Sequence, residues 1–184
     1  MKYWLGLLLV AAILIPGFAQ GLTSGVEVGG RLSSYGPKHL TGPDKGTNTC
    51  PVCRYGLLPS VQVWVNTDKA ENVVALAAAL HQAVQLHGGL QAHGGLHAFI
   101  TVLRPQAQFA EVESLASQAN YHDVAIMWLD PCSKSVSDYQ INMSKEVANT
   151  VFVSSENRVR HKFVNLVADA KGLAALQSAI SDLF

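Results

Sequence analysis

The chain has 184 residues, 49% of them hydrophobic and 14% charged, and its 13 basic and 13 acidic side chains give a formal net charge of zero. That length and apolar content suit one globular domain with a real core and exclude a disordered chain. With charge sparse and balanced, no basic field is present for nucleic acid or for an anionic membrane.

The chain opens with Lys2, the apolar run Trp4–Ile15, Pro16 and then Gly17-Phe18-Ala19. A positive region, a hydrophobic region and a small-x-small site make a signal peptide, so residues 1–19 are expected to be removed after Ala19. The run is short for a bilayer span, and no cysteine follows the cut to carry a lipid. The mature chain is therefore expected to work outside the cytoplasm, periplasmic or secreted, with no stable membrane insertion. Residues 20–56 are rich in Gly, Ser, Thr and Pro and read as an extended lead-in segment with room for one hairpin.

From residue 57 onward the pattern is regular. "VQVWV" (Val61–Val65) is a short β-branched and aromatic run that predicts a buried strand. Asp68 and Glu71 are spaced as a capping box, and Val73, Leu76, Leu80 and Val84 recur at helical spacing until Gly88-Gly89. "LHAFITVLR" predicts the next strand, ended by Pro105; "AQFAEVESLASQAN" a second helix; "DVAIMWLD" a third strand, closed by Pro131. "NTVFVSS" and "RVRHKFVNL" flank Glu156-Asn157 as a hairpin, and a last helix starts near Asp169. Strands alternating with helices predict parallel pairing, and the closing hairpin makes the sheet mixed.

The candidate chemistry sits upstream, in "TNTCPVCRYG", which spaces Cys50 and Cys53 as Cys-x-x-Cys. Three readings stay open: a redox dithiol, a structural disulfide, and half of a copper or zinc site. As a redox pair, one thiolate attacks a substrate disulfide and the other resolves the mixed disulfide, with the cation of Arg54 favouring the thiolate. In an oxidising compartment the pair spends much of its time as a disulfide. Cys132 makes the count odd, and its loop position suits either a distal thiol or an incidental cysteine. "HGGLQAHGGLH" gathers His87, His93 and His97, either as metal ligands or as a duplicated glycine turn. His161 is expected to face solvent.

The element order over Leu57 to Phe184 resembles the thioredoxin-like superfamily. "VQVWVNTD" looks like its central strand, "NTVFVSSENRVRHKFVNL" like its last hairpin, and the glycine-rich "GPDKG" like the lead-in of secreted bacterial redoxin-like proteins. The resemblance implies a three-layer α/β/α sandwich with a mixed central sheet over residues 57–184. It implies thiol–disulfide redox activity with a protein thiol or disulfide as partner and no cofactor, or, alternatively, a non-catalytic binding or scaffold domain. The family's own dithiol would align near Asp68 and Glu71, which are not cysteines, and Val147-Ala148-Asn149-Thr150 lacks the family's proline. Strand directions put Cys50 and Cys53 toward the other end of the sheet. "PDKGTNTC" also matches the peroxiredoxin spacing Pro-x-x-x-Thr-x-x-Cys through Pro43, Thr47 and Cys50, which implies a peroxidase alternative. Asn66–Lys69 is expected to be a helix start without thiol chemistry.

Overall fold

The computed structural model describes residues 22–88 and 94–184. The expected signal peptide and His93 lie outside the described residues. Six strands form one sheet: β1 Lys38–His39, β2 Ser60–Val65, β3 His97–Leu103, β4 Val124–Leu129, β5 Asn149–Ser155 and β6 Arg158–Val164, ordered β1-β4-β3-β2-β5-β6. β2, β3 and β4 are parallel, while β1, β5 and β6 pair antiparallel to β4, β2 and β5. The helices are α1 Pro51–Tyr55, α2 Ala70–Leu86, α3 Phe109–Gln118, α4 Lys134–Asp138 and α5 Ala170–Ser181. This is the expected α/β sandwich on a mixed sheet.

The central strand β2 is buried at every position. Its side chains alternate between faces, so Val61, Val63 and Val65 join one core and Trp64 the other. On the first face the helical stripe Val73, Leu76, Leu80 and Val84 of α2 packs with Val112 and Leu115 of α3 and Leu176 and Ile180 of α5. Fully burying each such side chain contributes about 1.5–3 kcal/mol. His81 of α2 adds a polar tie, its Nδ1 lying 2.7 Å from the buried carboxylate of Asp123 just before β4.

The second face is built differently. The one-turn helices α1 and α4 supply Val52 and Val136, the C-cap of α4 supplies Tyr139, and connecting chain supplies Val26, Leu32, Tyr35 and Ile141, over Trp64, Phe99, Met127 and Phe152. Aromatic rings dominate here, with Trp64 and Tyr139 at 4.3 Å between centroids. The lead-in segment thus forms a layer of the fold, and it contributes strand β1 and helix α1 within its otherwise extended course. Its close approach needs Gly25 at φ +83°, where a Cβ would stand 2.5 Å from the Phe152 ring.

The hairpin turn forms as the sequence predicts, with Glu156 and Asn157 both in the left-handed region at φ 54° and 61°. Asp169 caps α5 by accepting from the Gly172 N–H at 2.7 Å. Asp68 does not cap α2. The N-cap is Lys69, without a side-chain bond. Asp68 stands outside the helix, and its Oδ2 accepts from the amides of Asn72 and Asn149. The longer reach to Asn149 ties α2 to β5, and this tertiary use displaces the local cap. The His161 side chain, expected to face solvent, is 37% exposed, and its Nε2 lies 3.2 Å from Asp182 Oδ2 at the end of α5.

Candidate functional site

Cys50 is the N-cap of α1 in extended conformation (φ −76°, ψ 114°), and Pro51 opens the helix. Proline suits that position because its missing N–H has no helical partner there. One helical turn brings residues i and i+3 to the same side, and Cys50 and Cys53 are joined as a disulfide with Cα atoms 5.3 Å apart. The Cys53 backbone N–H donates to Cys50 Sγ at 3.0 Å. Cys50 is half-buried and Cys53 exposed, so Cys53 is the more accessible residue of the pair.

The helix is anchored on three sides. Val52 is buried in the second core. The Asn157 N–H donates to the Gly56 carbonyl at 2.6 Å, which fastens the helix end to the hairpin turn. The Tyr55 ring stacks on His97 of β3 at 4.3 Å.

Electrostatics around the pair centre on Asp44, whose carboxylate is buried. Arg54 donates to Asp44 Oδ1 and the Tyr55 hydroxyl to Oδ2 at 3.2 Å. The Arg54 cation therefore lies beside the dithiol as half of an ion pair, with its side chain 56% exposed and that of Asp44 only 5%. Burial, with the Asp44 charge second, raises the Tyr55 hydroxyl above its usual range. His39 and His97 are both pushed below the usual imidazole range by burial; at His97 the Arg54 cation acts in the same direction. His39 Nε2 lies 2.8 Å from the Thr49 carbonyl, so in the neutral ring Nε2 carries the hydrogen, and Nδ1 is left as a buried acceptor with no partner.

The site lies at the amino ends of the parallel strands, as the strand directions predict. The Leu57 carbonyl accepts from the Glu156 N–H, and the Pro59 carbonyl from the His97 N–H at the start of β3. A groove of about 490 Å³ opens beside Cys53, with Val52 and Leu32 among its walls and Arg31, Arg54 and Leu57 along its sides. At the opposite end of the sheet, Asn66–Lys69 leads into α2, and the exposed Cys132 lies in the loop after β4. Cys132 thus shares neither end nor groove with the disulfide.

The other candidate groupings separate as well. His87 stacks on Phe184 at 4.3 Å, on the side of the sheet covered by α2 and α5. His97 faces Tyr55 and Phe99 on the other. Among the described residues no group of three or more His, Cys, Asp or Glu side chains is placed to hold a metal ion. In the peroxiredoxin-like spacing a helix does open at Cys50, but the Thr47 hydroxyl donates to the Asp44 carbonyl at 2.8 Å and so closes the preceding turn. Sequence reading passed over Asp44, Tyr55, His39 and Arg31. Asp44 had a signal: it is the sole acid between Glu27 and Asp68 in a chain with few charges, and Arg54 is the cation next to the pair.

No protein-family model matches this chain, and no curated protein matches it in sequence. Solved structures do match it in shape. An uncharacterized conserved protein of Geobacillus kaustophilus superposes with a TM-score of 0.59 at 9% identity, over 85% of this chain and 82% of that one. The yeast mitochondrial 1-Cys peroxiredoxin gives 0.57 at 10% identity, over 85% and 75%. The fold is thioredoxin-like. A thio-disulfide isomerase of Thermus thermophilus gives 0.52 at 16% identity, over 84% and 97%. At these identities the likeness establishes the fold, and the chemistry rests on this chain's own residues.

Proposed function

We propose that the protein carries out thiol–disulfide exchange through Cys50 and Cys53. The observation that carries this reading is an exposed Cys53 that lines an open groove, disulfide-bonded to a half-buried Cys50 that already accepts a backbone N–H. A substrate thiolate attacks Cys53 Sγ, the Cys50–Cys53 bond breaks, and Cys50 leaves as a thiolate. The Cys53 N–H stabilises that thiolate more than it does the neutral sulfur, since hydrogen bonds to ionised acceptors are about twice as strong. A second substrate thiol then displaces Cys53. The substrate becomes a disulfide and the protein a dithiol, with two electrons and two protons transferred. The same steps in reverse reduce a substrate disulfide.

Export is part of the proposal. Lys2, the run Trp4–Ile15 and Gly17-Phe18-Ala19 support release of a mature chain that begins at Gln20. Among the described residues no helix is long and apolar enough to cross a membrane. N-terminal sequencing of the exported protein tests the cleavage point.

A second reading, a structural disulfide in a non-catalytic domain, is favoured by the buried Val52 and by the Asp44–Arg54–Tyr55 anchor, which both hold α1 in place. Trapping separates the two. In Cys50→Ser the remaining Cys53 is expected to form a stable mixed disulfide with an aromatic disulfide in the folded protein. In Cys53→Ser the half-buried Cys50 is expected to react at least about tenfold more slowly, following its poorer access. Reaction of either thiol only after unfolding supports the structural reading instead.

A further inference from the structure

The groove beside Cys53 is lined by one cation without an ion-pair partner among the described residues, Arg31, and a second, Arg158, lies across from it outside the lining. Arg31 and Arg158 stand directly opposite each other in an antiparallel bridge. The flanking bonds run from the Val159 N–H to the Gly30 carbonyl and from the Leu32 N–H to the Asn157 carbonyl, both at 3.0 Å. Those bonds make Arg31 and Arg158 a non-hydrogen-bonded pair, the type that brings opposed side chains closest. Like charges directly opposite destabilise a strand pair. Nearby acids do not relieve them. Asp44 is engaged by Arg54, Glu156 by Arg160 and Glu27 by Lys162. Arg158 donates to the neutral Gly29 carbonyl at 2.8 Å and keeps its charge. Arg31 has no ion-pair partner among the described residues. Leu57, also in the groove's lining, is 72% exposed, an apolar contact left open to solvent. The volume, about 490 Å³, is within the range of sites that take small ligands or a few residues of chain.

We propose that the groove receives the exchange partner as a cysteine-bearing peptide segment with carboxylates beside the cysteine. Those carboxylates meet Arg31 and Arg158 while the peptide sulfur reaches Cys53, and an aliphatic neighbour covers Leu57. This assignment rests on the redox reading of Cys50 and Cys53. Arg31 and Arg158 act as specificity determinants and take no part in the bond-breaking step, which is the exchange already written.

The test compares two short peptides that differ only at the residues flanking one cysteine, Glu on both sides or Lys on both sides. The rate at which each opens the disulfide of the full chain is read by alkylation and mass spectrometry. Each rate is divided by the same peptide's rate with a neutral aliphatic disulfide, which cancels the effect of the flanking charges on the thiol itself. The Glu peptide is expected to be favoured by about tenfold at low salt, with the preference shrinking as salt screens it. Arg31→Gln is expected to reduce the preference by about threefold, and Arg31→Gln with Arg158→Gln to remove it. Equal normalised rates, or a preference for the Lys peptide, overturn the acidic partner and leave the exchange chemistry standing. Failure of both peptides to open the disulfide overturns the redox reading, and this assignment falls with it.

Discussion

Asn66, Asp68, Asn72 and Asn149 knit the carboxyl end of β2 into a closed network, whereas at its amino end Cys53 and Arg31 are exposed and His39 Nδ1 has no partner. In that network Asn66 donates to the carbonyls of Ser144 and Val147, Asn149 bonds Leu166 in both directions, and Asn72 accepts from the Ala168 N–H. Both ends belong to one sheet. What separates them is how their side chains are engaged: Asn66, Asp68, Asn72 and Asn149 all bond one another or nearby backbone, although Ser144 Oγ beside them is buried without a partner. Buried polar groups that are all paired rigidify a structure, while groups left open are available to a ligand or a reaction. The thioredoxin-like fold commonly carries its dithiol at the carboxyl end of this strand; here that end is a structural clamp and the Cys50–Cys53 disulfide lies at the other.

The comparison breaks first if the clamp proves to be the working end. Asn149→Ala leaves the buried Leu166 N–H without its acceptor and removes one of the two amide donors to Asp68 Oδ2, at an expected cost of about 3 kcal/mol. Denaturant unfolding measures that cost, and the rate of disulfide opening in the folded protein is expected to stay within about twofold. A large loss of exchange at retained fold would move the function to the clamp.

A smaller effect is expected where α1 meets the hairpin. A Cβ on Gly56 would stand 1.8 Å from Asn157 Oδ1 and 2.5 Å from the Val52 carbonyl. Gly56→Ala therefore overpacks a backbone contact, with an expected destabilisation of about 2 kcal/mol. Because the clash lifts the helix that carries both cysteines, faster opening of the disulfide by small thiols is expected to accompany it. An unchanged rate would show that the packing of α1 does not control access to the sulfur.

Asp44→Ala removes the acceptor of Arg54 and Tyr55. The exposed Arg54 regains water, so the expected cost is only about 1 kcal/mol. Release of the Arg54 cation beside the pair is expected to raise the opening rate several-fold, because a nearby cation favours the thiolate that must leave. A stability loss with no rate change would make Arg54 an anchor alone.

The smallest effect is that of pH. The folded values of His39 and His97 lie below the unfolded imidazole value of about 6.5. Below that value the unfolded chain binds more protons than the folded one, so stability present above about pH 6.5 is lost as the pH falls toward the folded values. The urea midpoint is expected to drop between about pH 7 and pH 5, and to drop less in His97→Phe. No difference between the two proteins would remove His97 from the account.

Periodicity made much of this legible. Val61–Val65, the stripe from Val73 to Val84 and the Glu156-Asn157 turn are local patterns, and each formed where its spacing predicts. Strand directions also carried the pair to the amino ends. What escaped depends on contacts between distant residues. Asp68 has the spacing of a cap but is drawn off by Asn149, 81 positions away. Helix α1 is a single turn, too short to show a period, and is held by Val52 and the hairpin. The opposition of Arg31 and Arg158 exists only because the lead-in segment lies against β6.

The reduction potential of the Cys50–Cys53 couple, measured by equilibration of the full chain in glutathione and dithiothreitol buffers, separates a working dithiol from a structural bridge. The exposed Cys53 and the open groove it lines predict a value at or above about −270 mV, in the range of working dithiols. A value below about −300 mV, where structural bridges lie, would contradict it.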